Sequence, residues 1–231
     1  MSSEYVPISL PSRGKPYEVD PLSIKVRTFK GKDEQLIVQM PAGNPKKKIL
    51  EVMRNVVQGM DPIDMTIGDI MHILLWEAIN SYTSIYPVTM ICEKCFEEIK
   101  INADLGRIES HELPEDYQQD YSVTLNGQAY KIRLLTLGDE VEIMGWAQKQ
   151  DASYLYAYAM SLEDGSPDIY KKVLMLEELS SKELNKVRQY HAHFEHGPDF
   201  MAPYVCPKCG ESGKVVVPFR LDDIIQFTAK A

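Results

Sequence analysis

Four cysteines in two CxxC pairs constrain this chain more than any other feature. Cys92 and Cys95 lie in the stretch Ile91-Cys92-Glu93-Lys94-Cys95-Phe96, and Cys206 and Cys209 in Val205-Cys206-Pro207-Lys208-Cys209-Gly210. Two thiolates three positions apart on a tight turn can grip one zinc ion, and a second such turn completes a tetrahedral site. Pro207 presets the second turn, and Gly210 permits the positive backbone angle that lets amides point at sulfur. Strand-like residues flank both turns: Pro87 to Ile91 and Glu98 to Ile101 around the first, Tyr204-Val205 and Lys214 to Val217 around the second. Two hairpins with a metal-gripping turn at each tip describe a zinc ribbon. A redox CxxC would need a βαβ setting that the pattern lacks, and unmetallated core thiols are the remaining alternative. A catalytic zinc keeps an open coordination position, and four sulfurs leave none.

Disulfides are the other use of paired cysteines, and the expected compartment argues against them. The start, Met1-Ser2-Ser3-Glu4-Tyr5, shows no cationic region followed by an apolar stretch, so no signal peptide is expected. The longest mostly apolar run, Ile70 to Ile79, contains His72 and Glu77 and falls short of the ~20 residues of a membrane span. A cytosolic setting keeps thiols reduced. The chain of 231 residues is long enough for a core without staples. Thirty-four acidic against 25 basic residues give a net charge of −9, which disfavours a general nucleic-acid coat.

His191, His193 and His196 look like a second ligand cluster. On a helix at ~100° per residue, His191 points away from the other two. The reading here is one half-core histidine and two surface ones near a helix C-terminus. His72 and His111 are isolated. No Gly-rich phosphate loop, nucleophile elbow or HExxH motif occurs, so no enzyme is expected.

The spacing of the pairs is awkward, because 110 residues separate Cys95 from Cys206, against ~15–20 in a compact ribbon. A folded insertion must lie between them, or each pair serves another molecule. A repeat answers this. Lys25-Val26-Arg27 and Lys131-Ile132-Arg133 are each followed at the same offset by an Asp-Glu pair, Asp33-Glu34 and Asp139-Glu140. Each strand is preceded by an apolar segment and a tight turn, Ile8 to Leu10 with Gly14 and Val123 to Leu125 with Gly127. The alternative is chance similarity of short strings. The expected fold is therefore α+β: two pseudo-repeated strand–helices–knuckle halves sharing a zinc-ribbon-like centre, with an extended N-terminal arm. The divisions are residues 1–22 for the arm, 23–106 for the first half, 107–120 for an acidic linker and 121–231 for the second half.

Within the halves, Asn44 caps a helix with Pro45 at its first position and Ile49, Val52, Met53, Val56 and Val57 on one face, ended by Gly59. Thr66 caps the next, with Asp69 in its first turn. Asn126-Gly127 marks a hairpin. Helices are expected at about 137–149, 152–162, 168–178 and 181–195, with a Ser180/Glu183 capping box. A short terminal helix is expected over Leu221 to Phe227. Pro7, Pro11 and Pro16 hold the arm extended, and Val6, Ile8 and Leu10 make it the segment expected to reach a partner, the alternative being that it packs on its own domain as an edge strand. Tyr154, Tyr156 and Tyr158 cannot all face one side of a helix, so some should be exposed.

The whole pattern resembles the small baseplate hub proteins of T-even-like contractile-tailed bacteriophages. The likeness rests on Ile8-Ser9-Leu10-Pro11-Ser12-Arg13-Gly14, on Ile24 to Phe29, on Lys32-Asp33-Glu34, and on the two cysteine pairs. Asp33 departs from the pair of glutamates expected there. The resemblance implies a structural component or assembly factor of the baseplate in the virion tail, assembled in the host cytoplasm. Its partners would be other hub or wedge proteins, with the tape measure protein among the candidates. No small-molecule substrate, nucleic acid or membrane is implied, and one structural zinc on Cys92, Cys95, Cys206 and Cys209 would be the cofactor. The competing class is a zinc-ribbon module of a transcription or nucleic-acid-associated complex. Lys46-Lys47-Lys48 is the lone basic run, and it reads as a solvated helix start.

Overall fold

The computed structural model describes residues 4–38, 45–147, 154–163 and 168–220. It is a mixed α+β chain of helices and small antiparallel sheets. In chain order the elements are β1 (Val6–Pro7), β2 (Lys25–Val26), α1 (Gly31–Val38), α2 (Pro45–Val56), β3 (Val57–Gln58), α3 (Ile67–Ser81), β4 (Ile85–Ile91), β5 (Glu98–Asp104) and β6 (Ser110–His111). There follow β7 (Ser122–Leu125), β8 (Gln128–Ile132), α4 (Leu137–Ala147), α5 (Leu155–Ser161), β9 (Leu162–Glu163), α6 (Ile169–Glu177), α7 (Ser181–His193), β10 (Gly197–Pro198), β11 (Met201–Val205) and β12 (Ser212–Val216). The expected cap Asn44 and terminal helix Leu221 to Phe227 lie outside the described residues.

Two three-stranded sheets, β1-β2-β3 and β7-β8-β9, are built alike. The residue that follows the second strand of each is an Arg whose backbone N–H donates to the end of a helix: Arg27 to Val56 O at 3.1 Å, Arg133 to Ser161 O at 2.9 Å. Each Arg donates Nη1 to the carbonyl of its successor, Thr28 or Leu134. Each also donates to an Asp six residues on, Arg27 to Asp33 at 2.8 Å and Arg133 to Asp139 at 2.5 Å. The amides of Lys30 and Thr136, three residues before those aspartates, complete the pattern. Asp69 in the first turn of α3 accepts from Ser12 N, and Glu183 in the first turn of α7 accepts from Asn126 N. Both donors follow the first strand of their sheet.

Separate cores form around the two sheets. Ile24, Val26, Met53, Val56, Ile70, Ile73 and Tyr86 anchor the first. Ile132, Leu162, Val187, Tyr190 and Phe194 anchor the second. The halves are nevertheless interlocked. Leu137, Ala202 and Val217 belong to the first core. β6 pairs with β10, and the Tyr86 hydroxyl donates to Pro218 O. Gly68 on α3 lies so close to the backbone of His196 that a Cβ there would stand 2.3 Å from its carbonyl oxygen. Gly197, at φ +106°, meets Gly68 in return.

The N-terminal arm packs on its own domain as an edge strand, the second of the two readings, and this withdraws Ile8 and Leu10 as partner contacts. Ile8 and Leu10 are buried at 5% and 2% exposure, and β1 pairs with β2. Ser12 caps its own turn by accepting from Gly14 N, while Tyr17 hydrogen-bonds Asp69 and Thr66 at the start of α3. The acidic segment 107–120 is pinned as well. Leu113 is buried and donates its amide to Pro11 O, and Arg13 reaches both Glu112 and Glu115. α2 passes into β3 before Gly59, so the turn at Gly59 (φ +102°) follows a strand instead of ending the helix.

Candidate metal centre

β4 and β5 form one hairpin, and β11 and β12 another; each ends in a turn that carries a cysteine pair. The turns share one backbone plan. Cys92 N donates to Glu97 O at 2.9 Å and Phe96 N to Cys92 O at 2.9 Å. Cys206 N donates to Glu211 O at 2.6 Å and Gly210 N to Cys206 O at 3.0 Å. The plan puts the residue after each second cysteine in the left-handed region, at φ 72° for Gly210 and φ 56° for Phe96. Glycine reaches that region without strain; phenylalanine does not.

The four Sγ atoms all lie within 4.8 Å of one another. Cys92 to Cys209 is 3.7 Å and Cys95 to Cys206 is 3.8 Å. A tetrahedron with Zn–S bonds of about 2.3 Å has edges of about 3.8 Å. A disulfide would need a sulfur separation of about 2.05 Å. Cys92 and Cys206 are buried, and Cys95 and Cys209 half-buried, beside Ile99 and Tyr204. The amide of Cys209, then that of Lys208, holds the Cys206 thiol down at about 7 against burial. At Cys209 the Glu211 amide also pulls the thiol down, yet burial and the neighbouring sulfurs push it up to about 12. Four sulfurs this close cannot all ionise against one another. A divalent cation removes the conflict by taking all four as thiolates, so this donor set suits a closed thiolate site.

Two ion pairs cross between the turns. Lys94 Nζ is 2.8 Å from Glu211, and Lys208 Nζ is 2.8 Å from Glu97. In each pair the lysine sits two residues after the first cysteine of one turn, and the glutamate five residues after the first cysteine of the other. Both turns therefore read C-x-K-C-x-E, a signal in the sequence that the cysteine spacing alone does not use.

The histidines stand apart from this centre. α7 ends at His193, so His196 falls in the following turn and does not share the helical surface expected of it. It is half-buried, with Nε2 2.8 Å from Thr66 Oγ1. His193 is exposed and pairs with Asp116. His191 stacks on Tyr158 and bonds Ser161 Oγ, and burial holds it down at about 4. Among the described residues, the four cysteines are the one group of three or more ligand-type side chains close enough to share an ion.

This chain matches the family model described as T4 bacteriophage base plate protein, over residues 3–226. No curated protein and no solved structure matches it. The match spans nearly the whole chain, and the class is thereby a protein of the phage tail baseplate. The chain belongs to the T4 bacteriophage base plate protein family. No helix among the described residues is long and apolar enough to cross a membrane.

Proposed function

We propose that this chain is a non-enzymatic structural component or assembly factor of the contractile-tail baseplate hub, acting through protein–protein contacts, with one structural zinc on Cys92, Cys95, Cys206 and Cys209. The observation that carries the reading is a four-sulfur cage drawn equally from two hairpins, with 110 residues between Cys95 and Cys206, in a baseplate-family chain. Zinc, when bound, supplies a cross-link between distant parts of the chain. We further take residues 23–106 and 121–231 as two copies of one unit, joined by 107–120, with β1 from residues 1–22 completing the sheet of the first copy. The matched Arg–Asp pairs, the matched Asp69 and Glu183 bonds and the reciprocal Lys–Glu ties support a duplication whose copies each give one turn to a common metal. The partners are other hub or wedge proteins. The nucleic-acid reading has less support, because Lys94 and Lys208 beside the cysteines are each occupied by a glutamate.

The test is a phage lacking this gene. Infected lysates should contain heads without completed tails, and a mass-spectrometric inventory of wild-type particles against lysate separates a resident component from an assembly factor. Normal infectious particles made without the protein would sink the proposal.

A further inference from the structure

Glu97 and Glu211 each grip the metal turns by backbone and by side chain. The Glu97 carbonyl accepts from Cys92 N at 2.9 Å, and its amide donates to the sulfur of Cys95. Its carboxylate leaves the turn and takes Lys208 of the other hairpin at 2.8 Å. Glu211 repeats the arrangement. Its carbonyl accepts from Cys206 N at 2.6 Å, its amide donates to the sulfur of Cys209, and its carboxylate takes Lys94 at 2.8 Å. The backbone of each glutamate thus holds both cysteines of its own turn, while its side chain holds the opposite turn. The lysines are placed to match. Lys94 lies in the field of Cys92 from its own turn and of Cys209 from the other, and Lys208 in that of Cys206 and Cys95. Those are the two cross-turn sulfur pairs at 3.7 and 3.8 Å, so one tie serves each of them. The hairpins are separate two-stranded sheets, and no ladder bond sets one turn against the other.

We propose that Glu97 and Glu211, acting through Lys208 and Lys94, are positioning residues of the metal centre that hold the two turns in one register and thereby slow the loss of zinc. The proposal rests on the shared zinc put forward above. A metal leaves a four-sulfur cage as the sulfurs separate, and parting of the two turns is the movement that a cross-turn tie resists. The four side chains are exposed or partly so, with Lys94 the most open at 62%, so the ties lie outside the core. An exposed ion pair is worth roughly two- to fivefold in an equilibrium. Two ties that resist the same opening multiply to about four- to twentyfold. Glu93 gives an internal comparison. It is exposed on the first turn, between Cys92 and Lys94, and takes part in no ion pair among the described residues.

The test times zinc transfer from the purified full-length chain to the chelator 4-(2-pyridylazo)resorcinol. Glu97→Gln with Glu211→Gln leaves every backbone bond in place and removes both ties. This double variant should release zinc at least about fourfold faster than wild type. Glu93→Gln removes a carboxylate of the same turn without breaking a tie, and its release should stay within about twofold of wild type. Lys94→Glu sets two carboxylates against each other and should be fast, and adding Glu211→Lys rebuilds the tie with its polarity reversed and should bring release back to within about twofold of wild type. A double glutamine variant less than fourfold faster overturns the proposal. So does a Glu93→Gln chain as fast as the double variant, or a reversed pair as fast as Lys94→Glu alone, because charge near the sulfurs and not the tie would then set the rate. Zinc content of the wild-type chain is measured first. None or two per chain would remove the shared-zinc reading itself, whereas one zinc with unchanged release in the variants overturns the positioning role alone.

Discussion

The two Arg–Asp pairs offer a direct comparison, because the same bonds are made at different depths. Asp33 is fully buried and Arg27 is 3% exposed; Asp139 is 7% and Arg133 30% exposed. Replacing either aspartate by asparagine keeps shape and removes charge. In Asp33→Asn the Arg27 guanidinium stays buried, keeping the Thr28 carbonyl, Tyr5 and the half-exposed Glu4 carboxylate 3.5 Å away as partners. Stranding a buried charge costs about 3–5 kcal/mol, and Glu4 keeps the expected loss near the lower end, about 3 kcal/mol. In Asp139→Asn, Arg133 keeps Glu163 at 3.4 Å and keeps access to water. Its loss should be about 1 kcal/mol. In a chain of this size, each kcal/mol lowers Tm by roughly 2–4 °C, so the expected drops are about 6–12 °C and about 2–4 °C. Urea titration at fixed zinc, checked by thermal melts, measures both. Adding Arg27→Met to Asp33→Asn should recover part of the loss, because the stranded charge goes too. Equal losses at the two sites, or a loss below about 1 kcal/mol for Asp33→Asn, would refute the reasoning.

Burial pushes the Glu77 carboxyl up from 4.5 to about 7, against bonds to Oε2 from Ser81 Oγ and Phe29 N. Between pH 4.5 and 7 the folded chain holds a proton that the unfolded chain has released, so this group's contribution to stability falls as pH rises through that window. The contribution lost is on the order of 3 kcal/mol, and Glu77→Gln should remove that slope from urea titrations at pH 5 and pH 8. An unchanged slope in the variant would count against a perturbed Glu77. Gly68→Ala should cost at least about 1–3 kcal/mol in the same assay, since its Cβ would meet the His196 backbone. Gly145→Ala, on α4 with nothing within 4 Å, should gain about 0.5–1 kcal/mol. A Gly68 variant as stable as wild type would deny the close packing of α3 on β10.

The metal hairpins were legible because ligand geometry and strand alternation point the same way. The strands expected on either side of each CxxC are β4, β5, β11 and β12, each within a few residues. Asn126-Gly127 forms its turn with both φ angles positive, 47° and 80°. The two-residue strands β3 and β9 were hidden because each continues straight from a helix, α2 or α5, and only a distant partner strand makes it extended. The apolar alternation of Val6, Ile8 and Leu10 suits an edge strand and a partner-binding arm equally; burial of Ile8 and Leu10 decides for the strand. His196 was read on helical geometry as a surface group, but α7 stops at His193, with the Phe194 amide bonded to Tyr190 O, and His196 is half-buried against Thr66. The lysines and glutamates of the metal turns look like solvated charges until the two turns are brought together.

The central claim is a single metal shared by distant hairpins. Elemental analysis of the purified chain, with protein measured independently, tests it most directly. One zinc per chain is expected, falling to none when any of Cys92, Cys95, Cys206 or Cys209 is replaced by serine, together with a large drop in Tm, since structural zinc contributes on the order of 10 kcal/mol in small folds and less where a core exists. A ratio near zero for the wild-type chain, or near two with each cysteine pair binding separately, would contradict the shared centre.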